Sequence, residues 1–386
     1  MHGVKRLFAW MIPRFDPDRF NVSLISLRGR DLSRDTLDEL GIDVSYLHKS
    51  KFDPSTLPAL LKELDRRNAD ILHMHGYGAT TFGRLAAARR RLPAVLHEHA
   101  NLTDTPWFQK VADRMLAPYT DIALAVSQST ADFVIRARLV PAERTKVVYL
   151  GVPLDEFGRA RTVEEIEEAR GALQIPAGSL AIGTVTRLMP SKGNEYLIDA
   201  ARAIVDRVPN ARIYIVGEGE LQDDLESRAR ANGLGDSLVF AGFRRDVAAA
   251  LSAFDIAVFP SLWEGTPLTV LEALAMGKPI VSTDADGLRD VLTDGVDAVM
   301  VPRRDAAALA DAVVRLAGDS ERRTALSANA RRTGALYDIG LFVRKMERLY
   351  ALLHETSRPT RRAGVLRADL AFLNGASPKR GPDGGD

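Results

Sequence analysis

Two carboxylates, Glu264 and Glu272, flank what reads as a helix start within FPSLWEGTPLTVLEALAMGKPIVST, Phe259 to Thr283. A strand ends at Pro260, Thr266 suits an N-cap, Pro267 suits the first helical position, and Gly277 suits the C′ terminator. Glu264 and Gly265 then lie at the mouth of a helix whose unpaired N–H groups and positive dipole end can hold an anion, phosphate above all. Glu272 falls more than one turn further on, where a sugar ring or ribose would lie beyond a phosphate at the helix start. A carboxylate there accepts hydrogen bonds from two neighbouring hydroxyls.

A second segment, GTVTRLMPSKGNEYLIDAA, runs from a strand through a short loop into a helix, with Arg187 and Lys192 flanking a turn of Pro190, Ser191 and Gly193. Both cations are expected at the C-terminal edge of a parallel sheet, where ligands bind in such folds. A basic loop by itself is more often solvated surface. Beside the helix mouth at Glu264, it reads as a clamp for a diphosphate: Arg supplies bidentate hydrogen bonds and Lys a point charge, a pairing that serves a departing nucleotide without a metal.

Other chemistry-bearing residues weigh less. His73, His75, His97 and His99 gather at two strand ends. The alternation within HMH and HEH is expected to turn only some of them toward a site, so they read as lining or packing histidines and no metal is expected. Asp284, Ala285 and Asp286 have the form of a D-x-D metal motif, but they follow a buried strand and read as loop. GEGE at Gly217 to Glu220 is too short to define a dinucleotide site. Arg89, Arg90 and Arg91 with Lys5, Arg6, Phe8 and Trp10 would favour an anionic membrane surface if they shared a face. A solvated helix end is the more ordinary reading of such a run.

The elements that must position these residues alternate along the whole chain. Short apolar runs at Phe20 to Leu27, Ile42 to Leu47, Asp70 to His75, Ala94 to His99, Ile122 to Val126 and Lys146 to Leu150 read as strands. Ser55 to Asn68, Ala79 to Arg91 and Ser129 to Arg138 read as crossover helices, capped by Ser55 and Ser129. The rhythm restarts with strands at Leu180 to Thr186, Ala211 to Val216, Leu238 to Ala241, Ile256 to Pro260, Pro279 to Ser282 and Ala298 to Val301. Between the two series, RTVEEIEEARGAL reads as a helix leading the second. The expectation is α/β: two Rossmann-like domains, 1–157 and 158–337, with a ligand cleft between them. An amphipathic helix from Ile339 to Leu353 follows within 338–357, and 358–386 reads as a disordered basic tail. The chain opens on a helix, so the first domain's opening strand is expected upstream of His2 and Gly3, with Met1 an internal methionine.

Composition sets the outer bounds. The 386 residues exceed one ordinary core, and 46% hydrophobic with 27% charged residues suits a globular protein. A net charge of +1 disfavours nucleic acid as a partner. The absence of cysteine excludes disulfides, thiolate metal sites and a cysteine nucleophile, and fits a reducing, cytoplasmic compartment. No apolar run approaches the ~20 residues of a membrane span.

The two loop segments, with IVGEGELQDDLE at Ile215 to Glu226 and FAGFRRDVAAALSAFDIAVFPS at Phe240 to Ser261, resemble the retaining glycosyltransferases of family GT4. The likeness covers the second domain almost completely, and Glu264 with Glu272 matches the family's E-x7-E signature. The resemblance implies the GT-B fold, with a terminal helix crossing back to the N-terminal domain. It implies that Arg187 and Lys192 hold the donor diphosphate, Glu272 the ribose hydroxyls and Glu264 the transferred sugar. Backbone N–H groups of Gly265, Thr266 and Leu268 would support sugar or phosphate, and the backbone near Phe243 and Arg244 would meet the base. In the first domain, ILHMHGYGATTFGRLAAA and VLHEHANLTD are similar to acceptor-side segments. His99 takes the place of a histidine touching the donor sugar, and His75 and Gly76 lie on the acceptor side. The family's G-G-x-x-E segment appears here as Asp286, Gly287, Leu288, Arg289 and Asp290.

The implied activity is metal-independent, retaining transfer of a hexose from a UDP- or GDP-sugar to a hydroxyl acceptor, in polysaccharide or glycoconjugate synthesis. The acceptor is a saccharide, a lipid-linked saccharide or a small molecule, and the protein works in the cytoplasm or at the inner face of the membrane. A nucleotide-sugar epimerase of the same architecture and a non-catalytic nucleotide-sugar-binding protein are the alternatives.

Overall fold

A computed structural model of the chain describes residues 3–29, 37–50, 53–101, 107–356 and 370–373. Two compact units emerge, one formed by Met1–Gly151 with Ile339–Ala376 and the other built around Val152–Asp338. The division falls earlier than the expected boundary at Phe157, because the intervening residues are already committed to the second unit. Val152 N–H donates to Tyr337 O at 2.8 Å, and Phe157 is fully buried there.

The first unit opens on α1 (Gly3–Met11), which buries Leu7, Phe8 and Met11. Strands β1 (Leu24–Ser26) and β2 (Val44–Tyr46) pair in parallel as a sheet of their own. After α2 (Thr56–Arg66) come β3 (Leu72–His75), α3 (Tyr77–Arg90), β4 (Ala94–Glu98), α4 (Trp107–Leu116), β5 (Ile122–Ala125), α5 (Gln128–Ala137) and β6 (Thr145–Val147). Strands β3, β4, β5 and β6 pair in that order, all parallel. Every residue of β4 and β5 is buried, as in a parallel sheet covered on both faces. The caps differ from expectation. Ser127, two residues before Ser129, accepts the N–H of Thr130 at the start of α5, and the Ser55 hydroxyl donates to Asp53 and accepts from Lys49 Nζ instead of capping α2.

The second unit begins with α6 (Leu154–Phe157) and α7 (Val163–Ala172), the latter led by a capping box between Thr162 and Glu165. Then follow β7 (Leu180–Val185), α8 (Asn194–Arg207), β8 (Ala211–Val216), α9 (Gln222–Ala231), β9 (Leu238–Gly242), α10 (Val247–Ser252), β10 (Ile256–Phe259), α11 (Leu268–Ala275), β11 (Ile280–Thr283), α12 (Asp286–Val291), β12 (Val299–Val301), α13 (Ala306–Gly318) and α14 (Ser320–Gly334). All six strands run parallel in the order β12-β11-β10-β7-β8-β9. From β7 the chain steps outward to β9, then returns to lay β10 on the other side of β7. That reversal between β7 and β10 is the switch point of a doubly wound sheet, where the loops after two neighbouring strands diverge and leave room for a ligand.

The last long helix, α15 (Ile339–Thr356), belongs to the first unit. It packs on α1, Glu347 accepts the N–H of Asp16 at 2.9 Å, and Tyr350 Oη lies 2.5 Å from His73 Nδ1. The tail is not uniformly without structure. Leu370–Leu373 forms a 3-10 turn that buries Leu370 and Leu373, and the Arg348 guanidinium sits 4.1 Å from the Phe372 ring centre. An apolar LxxL spacing suffices to anchor it; the remainder of 358–386 lies outside the described residues. Among the described residues, no helix is long and apolar enough to cross a membrane.

Candidate active site

The loops after β7 and β10 carry Arg187, Lys192 and Glu264, and α11, the helix that follows β10, carries Glu272, the fourth charged residue singled out from the sequence. After β7 the chain turns through a 3-10 turn, Pro190–Lys192, and leaves it at Gly193 with φ +60°. A Cβ at Gly193 would stand 2.1 Å from the carbonyl oxygen of Pro260, so a glycine is required for the two loops to touch. Leu262 N–H donates to Ser191 O at 2.8 Å, tying the loops together through the backbone. Across this seam Lys192 Nζ meets Glu264 Oε1 at 2.5 Å, and the same oxygen accepts Ser261 Oγ at 2.7 Å. Both side chains are largely buried. Arg187 is exposed and forms no ion pair among the described residues. The pair of Lys192 and Glu264 is neutral overall, which leaves Arg187 as the uncompensated positive charge of the β7 loop.

The segment carrying Glu264 and Gly265 is held from several directions. Thr283 Oγ1 bonds Ser261 O, Arg303 Nη1 donates to Leu262 O at 3.1 Å, and Gly287 lies against the loop so closely that a Cβ would fall 1.4 Å from Gly265 O. Gly287 is the residue that sequence reasoning undervalued. It stood out only as part of a departure from G-G-x-x-E, whereas its place is steric. Helix α11 starts at Leu268 with Pro267 as N-cap and without a side-chain cap, one residue later than expected; Thr266 is buried and does not cap the helix. Pro267 has no N–H to donate, so it fits the cap position while Thr266 stays in the loop. Glu272 lies fully buried within α11, and Gly277 ends the helix at φ +67°.

Two further loops face the same strand ends. The GEGE turn packs on the β7 loop: a Cβ at Gly217 would meet Thr186 O at 1.7 Å, and one at Gly219 would meet Leu188 O at 2.3 Å. The glycines here serve backbone contact. At the end of β9, Gly242 adopts φ +67° and presents Phe243 and Arg244 as exposed residues. The D-x-D residues are occupied by arginines, Asp284 lying 3.3 Å from Arg303 and Asp286 3.4 Å from Arg303 and 3.1 Å from Arg289.

In the first unit the four histidines come together more completely than expected. Residues two apart on a strand share a face, so His73 with His75 and His97 with His99 project on the same side, and the register pairs His75 with His97. The rings form a column: His73 Nε2 lies 3.2 Å from His97 Nδ1, and His75 Nδ1 lies 2.8 Å from His99 Nε2. Desolvation pushes His73 down to about 3 and His99 down to about 4, and depresses His75 and His97 well below the ordinary imidazole value. At neutral pH the column is therefore uncharged. Candidate ligand atoms of His73, His75 and His97 lie within 4.8 Å of one another. A metal there would compete with the contacts from His73 to Tyr350 and to His97, so the geometry alone does not call for one. Gly76, at φ +80°, makes the turn from β3 into α3.

Comparison with known proteins matches each unit to a glycosyltransferase model: Glycosyltransferase Family 4 over residues 2–156 and Glycosyl transferases group 1 over residues 179–319. The chain belongs to the family 4, group 1 glycosyltransferases. Among its relatives is an Escherichia coli UDP-Gal:alpha-D-GlcNAc-diphosphoundecaprenol alpha-1,3-galactosyltransferase, 27% identical over 83% of this chain and 86% of the relative. A phosphatidyl-myo-inositol mannosyltransferase of Mycobacterium leprae is 27% identical over 78% of each chain. The crystal structure of Anabaena HepE in complex with UDP and glucose shares the fold, with a TM-score of 0.79 at 21% identity over 91% of this chain and 96% of that one. The architecture of this glycosyltransferase is GT-B.

Proposed function

We propose that this glycosyltransferase moves a hexose from a nucleotide diphosphate sugar, a UDP- or GDP-sugar, to a hydroxyl acceptor with net retention and without a metal. The single observation that carries the reading is the Lys192–Glu264 pair at the β7/β10 switch point, beside the start of α11. The galactosyltransferase and mannosyltransferase relatives support a hexose donor, and the UDP and glucose in the HepE complex support a nucleotide sugar at this fold. A saccharide, lipid-linked saccharide or small molecule is the acceptor, and the cytoplasm, or the inner face of its membrane, is the place of action.

The chemistry follows from where charge develops. Departure of the nucleoside diphosphate builds negative charge on its leaving oxygen, and Arg187, Lys192 and the N–H groups at the start of α11 supply the compensating positive field. An incoming diphosphate competes with Glu264 for Lys192. Each Lys192 hydrogen bond given to phosphate loosens the carboxylate, which then orients the sugar and eases positive charge at its anomeric carbon. Glu272 holds the ribose hydroxyls. Backbone at Gly265, Thr266 and Leu268 supports sugar and phosphate, and backbone near Phe243 and Arg244 meets the base. From the first unit, neutral His99 offers a hydrogen bond to the sugar, and His75 with Gly76 lines the acceptor side. No residue is assigned as a covalent nucleophile.

Incubation with a panel of UDP-, GDP- and ADP-sugars, with and without membrane and cytosolic extracts as acceptor source, tests the proposal. Acceptor-dependent release of nucleotide that persists in EDTA is the expected result. Conversion of the donor without an acceptor would point to an epimerase, binding without turnover to a donor-binding protein, and activity restored only by added manganese would overturn the metal-free reading.

A further inference from the structure

Helix α4 is inverted relative to an ordinary surface helix, which turns its apolar stripe inward. Its buried face carries two polar residues beside Leu116: Gln109 is 3% exposed and Asp113 is fully buried, held by Arg84 and by Arg138 Nη1 at 2.9 Å. Its outward face is apolar. Trp107 is 77% exposed, Val111 50% and Met115 69%, residues spaced at i, i+4 and i+8 on one stripe. Phe108 and, in the turn after the helix, Tyr119 add two exposed aromatics. Of the eight large hydrophobic side chains that the described residues of the first unit expose, four lie on this one helix and a fifth, Tyr119, in the turn after it, where isolated examples would be unremarkable.

The charges around the stripe say what covers it. The exposed charged residues of α4 itself, Lys110 and Arg114, are both basic, because its one acid, Asp113, points inward. Helix α3, which packs on α4 and on the turn bearing Tyr119, ends in three exposed arginines, Arg89, Arg90 and Arg91. Arg90 is paired with Asp65. Aromatic and long apolar side chains with Lys and Arg on the same helix, and further arginines at the end of the helix packed against it, form the pattern of a segment that lies in the headgroup region of an anionic bilayer. The grouping suggested by sequence, with Phe8 and Trp10, does not form such a face, since Phe8 is buried with its ring edge-on to His75 and Trp10 is stacked under Arg6.

We infer that the outward face of α4, Trp107, Phe108, Val111 and Met115 with Lys110 and Arg114, docks the protein reversibly onto an anionic phospholipid surface. The buried Arg84–Asp113–Arg138 cluster fixes the helix roll, so the stripe is presented ready-formed and binding requires no refolding. This inference stands apart from the proposed transfer reaction and does not depend on the donor site.

Vesicle flotation of the full chain, without donor or acceptor, tests it directly. The protein should float with vesicles rich in phosphatidylglycerol and much less with phosphatidylcholine alone, with affinity falling as salt rises. The double variant Trp107→Ser/Met115→Ser, and separately Lys110→Glu/Arg114→Glu, should each weaken flotation by roughly tenfold or more. Both change side chains that already face solvent, so thermal unfolding should stay within a few degrees of the parent chain. Equal binding by parent and variants would overturn the assignment, as would no binding to the anionic vesicles. A concentration-dependent dimer abolished by Trp107→Ser/Met115→Ser would overturn it in favour of a second copy. Because flotation is read without catalysis, failure of the transferase reading would leave the result intact.

Discussion

The two units of this glycosyltransferase place the ionisable groups of their candidate sites differently. In the second unit, Arg187, Lys192 and Glu264 stand in loops above an apolar sheet, held there by backbone seams and glycines, while Glu272 is buried within α11. In the first, ionisable groups are built into the interior. Arg84, Arg138, Asp113 and Glu98 are all buried in one cluster, and four desolvated imidazoles form a column on the other face of the strand that carries Glu98. All seven histidines of the chain lie in the segments of the first unit and none in Val152–Asp338. On the proposed reading, a ligand arriving at the loop site has only to trade one contact of the Lys192–Glu264 pair for another. The interior cluster cannot make such a trade, because any member left alone is a desolvated charge.

That contrast is broken most sharply by removing one buried charge. Asp113→Ala leaves two buried guanidinium groups without their shared carboxylate, and should cost the folded chain roughly 3–5 kcal/mol, read as a fall in the urea midpoint. A loss under about 1 kcal/mol would mean that water or Glu98 takes over the role, and that the interior is as exchangeable as the loop. Lys192→Ala asks the opposite question. On the proposed reading it should slow transfer by roughly 100- to 1000-fold and lower the midpoint less than Asp113→Ala does, because Glu264 keeps its hydrogen bond from Ser261 Oγ. Glu272→Ala should instead weaken donor binding. Near-normal turnover in both variants would remove the loop site from the chemistry.

The difference also explains what the sequence could declare. Every strand expected in the second unit is present, and Ala211 to Val216 forms over the expected residues, because an alternation of buried strands and capped helices is a local signal. Glu264, Glu272, Arg187 and Lys192 were legible as a group since two loops at one switch point follow from strand order. The contact between Lys192 and Glu264 was not, for it joins residues 72 apart in sequence. Helix α4 went unanticipated, as its apolar stripe faces outward and its buried face carries Gln109 and Asp113, so the usual correspondence between apolar and buried fails there. The histidine column was underestimated by a rule of geometry, the shared face of residues two apart. The docked turn Leu370–Leu373 was hidden by a polar surrounding sequence, with only its spacing to mark it.

A subtler break in the comparison falls on backbone proximity. Gly287 supports the Glu264 loop through a close approach that no side chain fits, and its methyl equivalent would collide with the carbonyl of Gly265. Gly287→Ala should therefore destabilise by about 1–3 kcal/mol and raise the donor KM, because α12 or the loop must move to admit the added carbon. Gly171→Ala, on α7 with nothing within 4 Å of the new Cβ, is the control, and should be neutral or slightly stabilising. Equal behaviour of the two variants would show that the loop is not held by α12.

The smallest effect near neutrality, and the one that separates the units by chemistry alone, is the response to acid. In the unfolded chain a histidine takes its proton near pH 6.5, whereas in the fold desolvation delays this to about 4 for His99 and about 3 for His73. Between these values the unfolded state binds more protons, so stability rises with pH there. The contribution is intact above about pH 6.5 and is lost progressively as pH falls toward 4 and then 3. Each such histidine adds a slope of up to about 1.4 kcal/mol per pH unit inside its window. The urea midpoint of the whole chain should thus fall steeply from mildly acidic pH downward, and His99→Gln should flatten that fall by one histidine's share while leaving neutral-pH stability little changed. A slope that survives His99→Gln in full would mean that His99 already meets water in the fold. It would then be a loop-like group in a unit otherwise organised around buried ones.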